Sequence, residues 1–468
     1  MDSFDFVVVG GGSAGYAAAR TAVSFGLSTA IVDSADELGG LCILRGCMPS
    51  KTLIATANRA RTIRQADEFA INATFNGVSG SKLRERKRRF IDDFAGYRKA
   101  QLTDGRFALF RGHGKFTGKT ELSVSMPDGS AKIIAFKTAL IATGSRVQIL
   151  DIPGLAETGF WTSDDALDSD YIPRSIVVLG GGAIALELAH FYEGVGSQVT
   201  VIQRSPHVLR GMDEDLAHVV EVASRERGIT LHTGTKINSV SRKDGMAVVH
   251  YEHTGHGSRE ATGEILLLAT GRVPTTENLG ADIIDVIDNA NGRIKTTHTQ
   301  QTPVPHIFAA GDASGPADVV HVAIQQGEIA ARNAARMLGK LGGDLEKYSD
   351  HAMLFGVFTE PEVAQVGITE AQARRDGKVL RVATYPFNDH GKSMVEGVSH
   401  GFVKLLAEPG TGKLVGASVV GPHATELIHE MALAVHLGLT AAQIATAPHY
   451  HPTLSEIWAY PAEELMEG

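Results

Sequence analysis

The chain has 468 residues, 43% of them hydrophobic and 21% charged, with 52 glycines, two cysteines and a net charge of −9. That length predicts about three domains with a substantial core, and the composition predicts an α/β protein rich in tight turns. The acidic balance argues against a nucleic-acid partner, no apolar run is long enough to span a bilayer, no targeting segment opens the chain, and two cysteines are too few for a secreted disulfide scaffold; the expected location is cytoplasmic, with no membrane partner.

Phe4 to Val9 is a short apolar run that predicts a strand leading into Gly10-Gly-Gly-Ser-Ala-Gly15. An Ala-rich helical stretch and a second strand, Ser28 to Val32, ending at Asp33, complete the βαβ plan of a dinucleotide fold. In such a loop Gly10 permits the tight turn, Gly12 lets the backbone approach a diphosphate, and Gly15 allows close helix–strand packing. Asp33 is placed to accept hydrogen bonds from ribose hydroxyls.

Both cysteines follow at once, in Gly39-Gly-Leu-Cys-Ile-Leu-Arg-Gly-Cys-Met-Pro-Ser-Lys51. Zinc needs about four ligands, and no second cysteine pair exists, so no metal is expected. A purely structural disulfide is disfavoured in a reducing compartment. Disulfide exchange suits the pair, because a low-pKa thiolate near a helix N-terminus is both a good attacking and a good leaving group. Pro49 is compatible with the first turn of such a helix. Cys42 and Cys47 therefore read as a two-electron store. The charge run from Lys82 to Arg89 reads as the solvated face of a helix.

Asp151-Ile-Pro-Gly154 looks like a linker into a second copy of the plan: strand Ser175 to Leu179, Gly180-Gly-Gly-Ala-Ile-Ala185, a helix through Tyr192, and strand Gln198 to Ile202. In both copies 23 residues separate the first glycine from the end of the second strand, at Asp33 and Gln203. A duplicated unit at matched spacing predicts two bound dinucleotides. Position 203 is Gln rather than an acid, followed by Arg204, His207 and Arg210. A carboxylate there repels a 2′-phosphate, whereas arginines attract one, so NADP(H) is favoured over NAD(H).

Gly271-Arg-Val-Pro274 looks like the exit from the second unit, and from about Tyr348 strands followed by long helices, without a glycine signature, read as a third domain. The expected division is 1–148 with 276–346, then 149–275, then 347–468. Near the C-terminus, His449-Tyr-His-Pro-Thr-Leu-Ser-Glu456 offers His451 as a general acid–base with Glu456 to hold its tautomer. Taken alone, His451 reads more often as an ordinary polar residue or a satisfied histidine than as a catalytic one. His449 and His451 together suggest a metal site, but no supporting ligands are visible.

These motifs together resemble the FAD-dependent pyridine nucleotide–disulfide oxidoreductases nearly end to end. The resemblance rests on the first glycine loop, Gly39 to Lys51, Ala142-Thr-Gly144, the second glycine loop, Ala269-Thr-Gly-Arg272, Ile307-Phe-Ala-Ala-Gly-Asp312, Phe358-Thr-Glu-Pro-Glu-Val363 and the closing His451 to Glu456 run. It implies two Rossmann-like dinucleotide-binding domains, for FAD and NAD(P)H, plus a C-terminal α+β dimerisation domain. It also implies a homodimer in which His451 and Glu456 reach the cysteines of the other subunit, and a small-molecule disulfide or dithiol substrate. By position Cys42 resembles the thiol that attacks substrate and Cys47 the flavin-side thiol. Lys51 resembles the lysine beside the flavin N5 and Glu187 the glutamate paired with it. Asp312 matches the residue holding the flavin ribityl chain, and Val320 enters the helix beneath the isoalloxazine. The implied cofactor contacts are completed by Gly40, Gly114, Thr143, Gly144, Gly311, Gly180, Gly182, Ala183, Ile184, Gln203, Arg204, Arg210, Gly271 and Arg272.

Pro-Ser-Lys51 and His-Pro-Thr-Leu-Ser-Glu456 look most like dihydrolipoamide dehydrogenase. That subfamily uses NAD and carries a glutamate where this chain has Gln203. Mercuric reductases and large thioredoxin reductases carry an extra C-terminal cysteine pair that this sequence lacks. Two other readings stand beside disulfide turnover: a flavin reductase acting on quinones, metals or oxygen species, and a non-catalytic flavin-bound redox-sensing module.

Overall fold

The computed structural model describes residues 2–287 and 291–467. By compactness the chain divides into two units, one of Met1–Pro49, Glu85–Gln148 and Arg272–Ser349, the other of Ser50–Arg84, Ile149–Gly271 and Asp350–Gly468.

In the first unit β1 (Asp2–Val9) leads through the first glycine loop into helix α1 (Ser13–Ser24) and back along β2 (Thr29–Asp33). The short helices α2 (Leu41–Arg45) and the start of α3 (Cys47–Arg64) carry the cysteines, and α4 (Gly80–Leu102) carries the charge run. β3 (Ala108–Arg111), β4 (His113–Gly118), β5 (Glu121–Ser125) and β6 (Ala131–Ile141) complete the sheet, in the order β3-β2-β1-β6-β5-β4, with strand Ile307–Ala309 also paired to β6. β1 lies parallel to both β2 and β6, in the register Val8 to Ile31 and Val8 to Leu140. Phe6 to Val9 are fully or nearly fully buried, as a parallel strand covered on both faces requires. The Ala-rich face of α1 packs against the helix Val320–Met337. That approach is close enough that a Cβ on Gly327 would strike the Ala14 carbonyl.

The second unit repeats the plan with an all-parallel sheet, Thr230–His232, Gln198–Ile202, Ser175–Leu179 and Ile265–Leu268 in that order. Helix Ala183–Val195 crosses between the strands Ser175–Leu179 and Gln198–Ile202. An antiparallel ribbon, Thr235–Lys243, Met246–His253 and Gly257–Gly263, follows. The C-terminal part is an antiparallel sheet ordered Leu354–Val357, Glu362–Gly367, Leu414–Gly421, Phe402–Ala407 and Arg381–Pro386, covered by helix Ala424–Leu437 and helix Ala459–Glu467. Residues 50–84 belong with this unit because Leu53, Ala57 and Leu83 share a core with Leu186, Phe191 and Val201. Gly194 has no room for a side chain there, since its Cβ would lie 2.5 Å from that of Ala57.

α4 is helical across the charge run, and Lys82, Glu85, Arg86, Arg88 and Arg89 are exposed. Lys87 departs from the solvated reading, being buried at 5% exposure. No helix among the described residues is long and apolar enough to cross a membrane.

Candidate functional site

The first glycine loop is built to leave a helix N-terminus bare. Gly10 leaves β1 at φ +103°, and a Cβ there would strike the Ala142 carbonyl; one on Gly15 would strike the Gly10 carbonyl. Gly12 caps α1 without a side-chain hydrogen bond, so the first N–H groups of the helix face outward for an anion. Gly40, at φ +76°, crosses Gly12 so closely that its Cβ would sit 2.7 Å from the Gly12 Cα. Asp33, at the end of β2, is held by two backbone donors: the Gly11 N–H at 2.7 Å on Oδ2 and the Ala35 N–H at 2.8 Å on Oδ1. Gly114, on β4, packs beneath the same strand ends, where a Cβ would press on Val32 and Leu122 at 3.2 Å. A cradle of this shape, with a fixed carboxylate at its rim, fits the diphosphate and ribose of a dinucleotide.

Motifs far apart in sequence meet beside it. Ser145 donates to Asp312 Oδ2 at 2.6 Å and accepts from Arg272 Nε at 2.8 Å, while Arg272 Nη2 donates to the Ser145 carbonyl at 2.7 Å. Thr143 donates to the Thr275 carbonyl at 2.6 Å, and Gly144, at φ +70°, accepts from the Thr275 N–H at 2.9 Å. Gly311 is tied by its N–H to Gln326 Oε1 at 2.8 Å, and Val320 is the first residue of its helix. These bonds fix the position of the Asp312 carboxylate.

Cys42 lies in α2, and Cys47 opens α3, with Pro49 in its first turn. Gly46 folds the connection back so tightly that a Cβ there would lie 3.2 Å from the Cys42 Cα. Both cysteines are half-buried. The Arg98 guanidinium lies 4.0 Å above the Tyr16 ring and is without an ion-pair partner among the described residues. Burial depresses its pKa, while Tyr16 and Cys42 pull it back upward, so its charge is felt at Cys42.

Lys51, one turn after Cys47 on α3, places Nζ 2.8 Å from Glu187 Oε2. The other Glu187 oxygen accepts from the Phe358 N–H at 3.0 Å, and Lys51 sits 4.4 Å over the Phe358 ring. Glu187 is buried on helix Ala183–Val195. At that helix's start, Gly180 is at φ +125°, where a Cβ would strike the Ala269 carbonyl, and Gly182 again caps without a side chain. Ala183 is half-buried and Ile184 exposed in the first turn. Gln203 packs against Gly181, with its amide turned onto its own loop, accepting from the Arg204 N–H at 3.1 Å. Arg204 and Arg210 are exposed and make no ion pair among the described residues. Gly271, at φ +116°, ends this segment.

In the C-terminal part His451 Nδ1 lies 3.0 Å from Glu456 Oε2 and 3.2 Å from Oε1. Glu456 is buried, while the His451 side chain is 78% exposed. His449 Nε2 pairs separately with Glu430 at 2.9 Å. Among the described residues no group of His, Cys, Asp and Glu is disposed to hold a metal ion.

Residues 4–327 match the family model for pyridine nucleotide-disulphide oxidoreductases, and residues 355–462 match that family's dimerisation domain. The chain belongs to this family. Its members of known name include a dihydrolipoyl dehydrogenase of Bacillus subtilis, 32% identical over 97% of this chain and 96% of the relative. A dihydrolipoyl dehydrogenase of Haloferax volcanii is 33% identical over 99% of this chain and 96% of the relative. The HOCl-induced flavoprotein disulfide reductase RclA of Escherichia coli, solved as a Cu(II) complex, has the same fold, with a TM-score of 0.85 at 24% identity over 99% of this chain and 100% of that one. This oxidoreductase is therefore an FAD-dependent enzyme of disulfide chemistry, with the family's α/β fold and a homodimer built by its C-terminal domain.

Several residues of the oxidoreductase's site carry no sequence signal. Ser145 follows a motif without belonging to it, and it reaches Asp312 only through the fold. Phe358 was legible as the start of a motif but not as the platform for Lys51. Arg98 lies in a charged helix whose sequence reads as surface, and only its place over Tyr16 sets it apart.

Proposed function

We propose that the enzyme moves two electrons between NADPH and a small disulfide or dithiol through Cys42 and Cys47, with the active site shared across the homodimer. The domain division that goes with this reading is 1–148 with 276–346 for FAD, 149–275 for the nicotinamide coenzyme and 347–468 for dimerisation. Gly10, Gly12, Gly15, Asp33, Gly40 and Asp312 would hold FAD, which when bound supplies the two-electron relay between coenzyme and cysteines. In the reductive direction the Cys42 thiolate attacks one sulfur of the substrate, forming a mixed disulfide and releasing a thiolate. His451, oriented by Glu456, protonates that thiolate. Cys47 then attacks Cys42, closing the protein disulfide and expelling the second substrate thiol.

The observation that carries the shared site is the exposure of the acid–base pair. A general acid works in a position closed to bulk water, yet within one protomer 78% of the His451 side chain is exposed while Nδ1 is committed to buried Glu456. A partner subunit is the natural cover. Mixing Cys42→Ser and His451→Ala protomers tests this: each homodimer is inactive toward disulfides, and heterodimers recover one intact site. Absence of recovery in verified heterodimers would pair Cys42 with His451 of its own protomer and remove the shared site.

NADPH is supported by neutral Gln203 and by two exposed arginines, Arg204 and Arg210, that make no ion pair among the described residues. Kinetics with both coenzymes against a panel of lipoamide, glutathione-type and other small disulfides would identify coenzyme and substrate together.

A further inference from the structure

Glu456 serves two histidines. On its outer side it holds His451 at 3.0 Å. On its inner side His390 Nε2 lies 3.4 Å from Oε1. His390 is fully buried and 66 residues upstream, in the turn between strand Arg381–Pro386 and helix Gly391–Val395. Its Nδ1 lies 2.7 Å from Ser393 Oγ, also fully buried, and its Nε2 has no closed hydrogen bond among the described residues.

The protonation pattern follows from the partners. Burial holds the His390 imidazole below its usual pKa; Glu456 pulls upward and His451 opposes. A neutral imidazole has one N–H and one acceptor nitrogen. Glu456 as a carboxylate can only accept, whereas the Ser393 hydroxyl can donate. Both contacts are satisfied together in one arrangement: Ser393 donates to Nδ1, and Nε2–H faces Glu456. The other groups packed around the ring are Tyr460, edge-on at 6.0 Å, and Tyr385, which stacks on Tyr460 at 4.2 Å and donates to Asp389.

We propose that His390 is a positioning residue for the Glu456–His451 pair. Its Nε2–H faces the carboxylate from the buried side at 3.4 Å, which biases the rotamer of Glu456 and divides its charge between two rings. The proposal rests on the reading of His451 as the proton donor to the leaving thiolate. Without His390, Glu456 would swing more freely and bear its whole charge on His451.

The test uses the FAD-loaded dimer and compares His390→Leu, which removes the donor, with His390→Gln, whose amide nitrogen returns a donor near the Nε2 position. In His390→Leu, disulfide turnover relative to quinone turnover falls about tenfold. The basic-side inflection of the kcat/KM profile for the disulfide moves up by about 0.5 pH unit, because an undivided opposite charge favours the imidazolium that donates the proton. His390→Gln restores both. Ser393→Ala, which unlocks the tautomer at less risk to folding, moves the inflection in the same direction. An unshifted profile in Ser393→Ala and in whichever His390 variants fold overturns the proposal. His451→Ala is the separate control, since retained disulfide turnover there would remove the acid–base reading itself, whatever the His390 variants do.

Discussion

Lys51 and Glu187 stand 136 positions apart in sequence and form an ion pair of 2.8 Å, with Glu187 buried and its second oxygen fixed by the Phe358 N–H. The carboxylate therefore has a backbone donor on one side and an ammonium on the other. Glu187→Gln can keep an acceptor for Phe358 but loses the charge facing Lys51. We expect the variant to bind FAD normally and to slow reduction by NAD(P)H about tenfold or more in stopped flow, since an electrostatically preorganised group is removed. The thiol half-reaction, measured from chemically reduced enzyme, should change little. Equal slowing of both halves would show that the pair serves general integrity instead.

Coenzyme choice turns on Arg204 and Arg210. Both are exposed with no carboxylate among the described residues holding them, so neither pays to leave a partner when a phosphate arrives. Replacing both with alanine should reduce kcat/KM for NADPH by about 100-fold, at roughly 1.4 kcal/mol per lost charged contact, and leave NADH within a few-fold. A wild-type enzyme that strongly prefers NADH would refute the argument from these arginines.

Arg98 bears on the thiol. Its guanidinium feels the charge of Cys42 from a half-buried position, and electrostatic coupling is reciprocal. Arg98→Met should therefore make the Cys42 thiolate less stable and shift the pH dependence of its alkylation upward in the reduced enzyme. The measurement is the iodoacetamide rate as a function of pH in a Cys47→Ser background, where Cys42 is the remaining cysteine. Superimposable curves with and without Arg98 would show that its charge is screened.

Legibility in the sequence followed the range of the interaction. The glycine loops, the cysteine run and the His451–Glu456 pair were readable because each is a local device whose chemistry requires particular residues within a few positions. The strands around the loops were also readable, since parallel strands buried on both faces must be continuous apolar runs. β1 nevertheless starts at Asp2 rather than Phe4, because Asp2 and Ser3 pair with Ile134 and Ala135 on β6. Lys87 is buried in a run that reads as solvated, and α4's charges carry no mark that separates it from its exposed neighbours. Ser145, His390 and Arg98 act across long sequence separations, where one sequence holds no periodicity or spacing to reveal them.

Buried histidines make stability fall in acid. His190 is buried, with Nδ1 accepting from the Glu360 N–H at 3.0 Å and Nε2 at 3.0 Å from Ser224. Burial first, then Arg227 and Arg61, hold its pKa well below 6.5. His232 and His390 are depressed as well, both chiefly by burial. As pH drops below about 6.5 the unfolded chain takes up protons that the folded chain refuses, so unfolding free energy declines with a slope of up to about 1.4 kcal/mol per pH unit for each such histidine. Above pH 7 these groups are neutral in both states and contribute no slope. Urea midpoints between pH 5 and 8 measure this, and His190→Gln should flatten the acid limb. An unchanged limb would assign the slope to other groups.

The buried cation of the C-terminal part offers the sharpest stability test. Lys404 is fully buried on strand Phe402–Ala407, with Nζ 2.5 Å from Asp215, 2.7 Å from Glu370 and 3.3 Å from Asp213. Burial works to lower its pKa, but the bonds to Asp215 and Glu370 outweigh that and raise it. Asp213 also accepts the Glu370 and Ala371 N–H groups at 3.1 and 3.0 Å, so the same carboxylate caps the helix Glu370–Arg375. Lys404→Met leaves three carboxylates facing one another without a cation. Removing one member of a buried ion pair costs about 3–5 kcal/mol, and the lower end is expected here because Asp215 is nearly half exposed and can relax into water. Adding Asp213→Asn to Lys404→Met should return part of that loss, because it relieves the repulsion while an amide oxygen can still accept from the helix. The double variant is thus less destabilised than the two single losses added together. Strict additivity in urea unfolding would mean that Lys404 and Asp213 stabilise the fold independently.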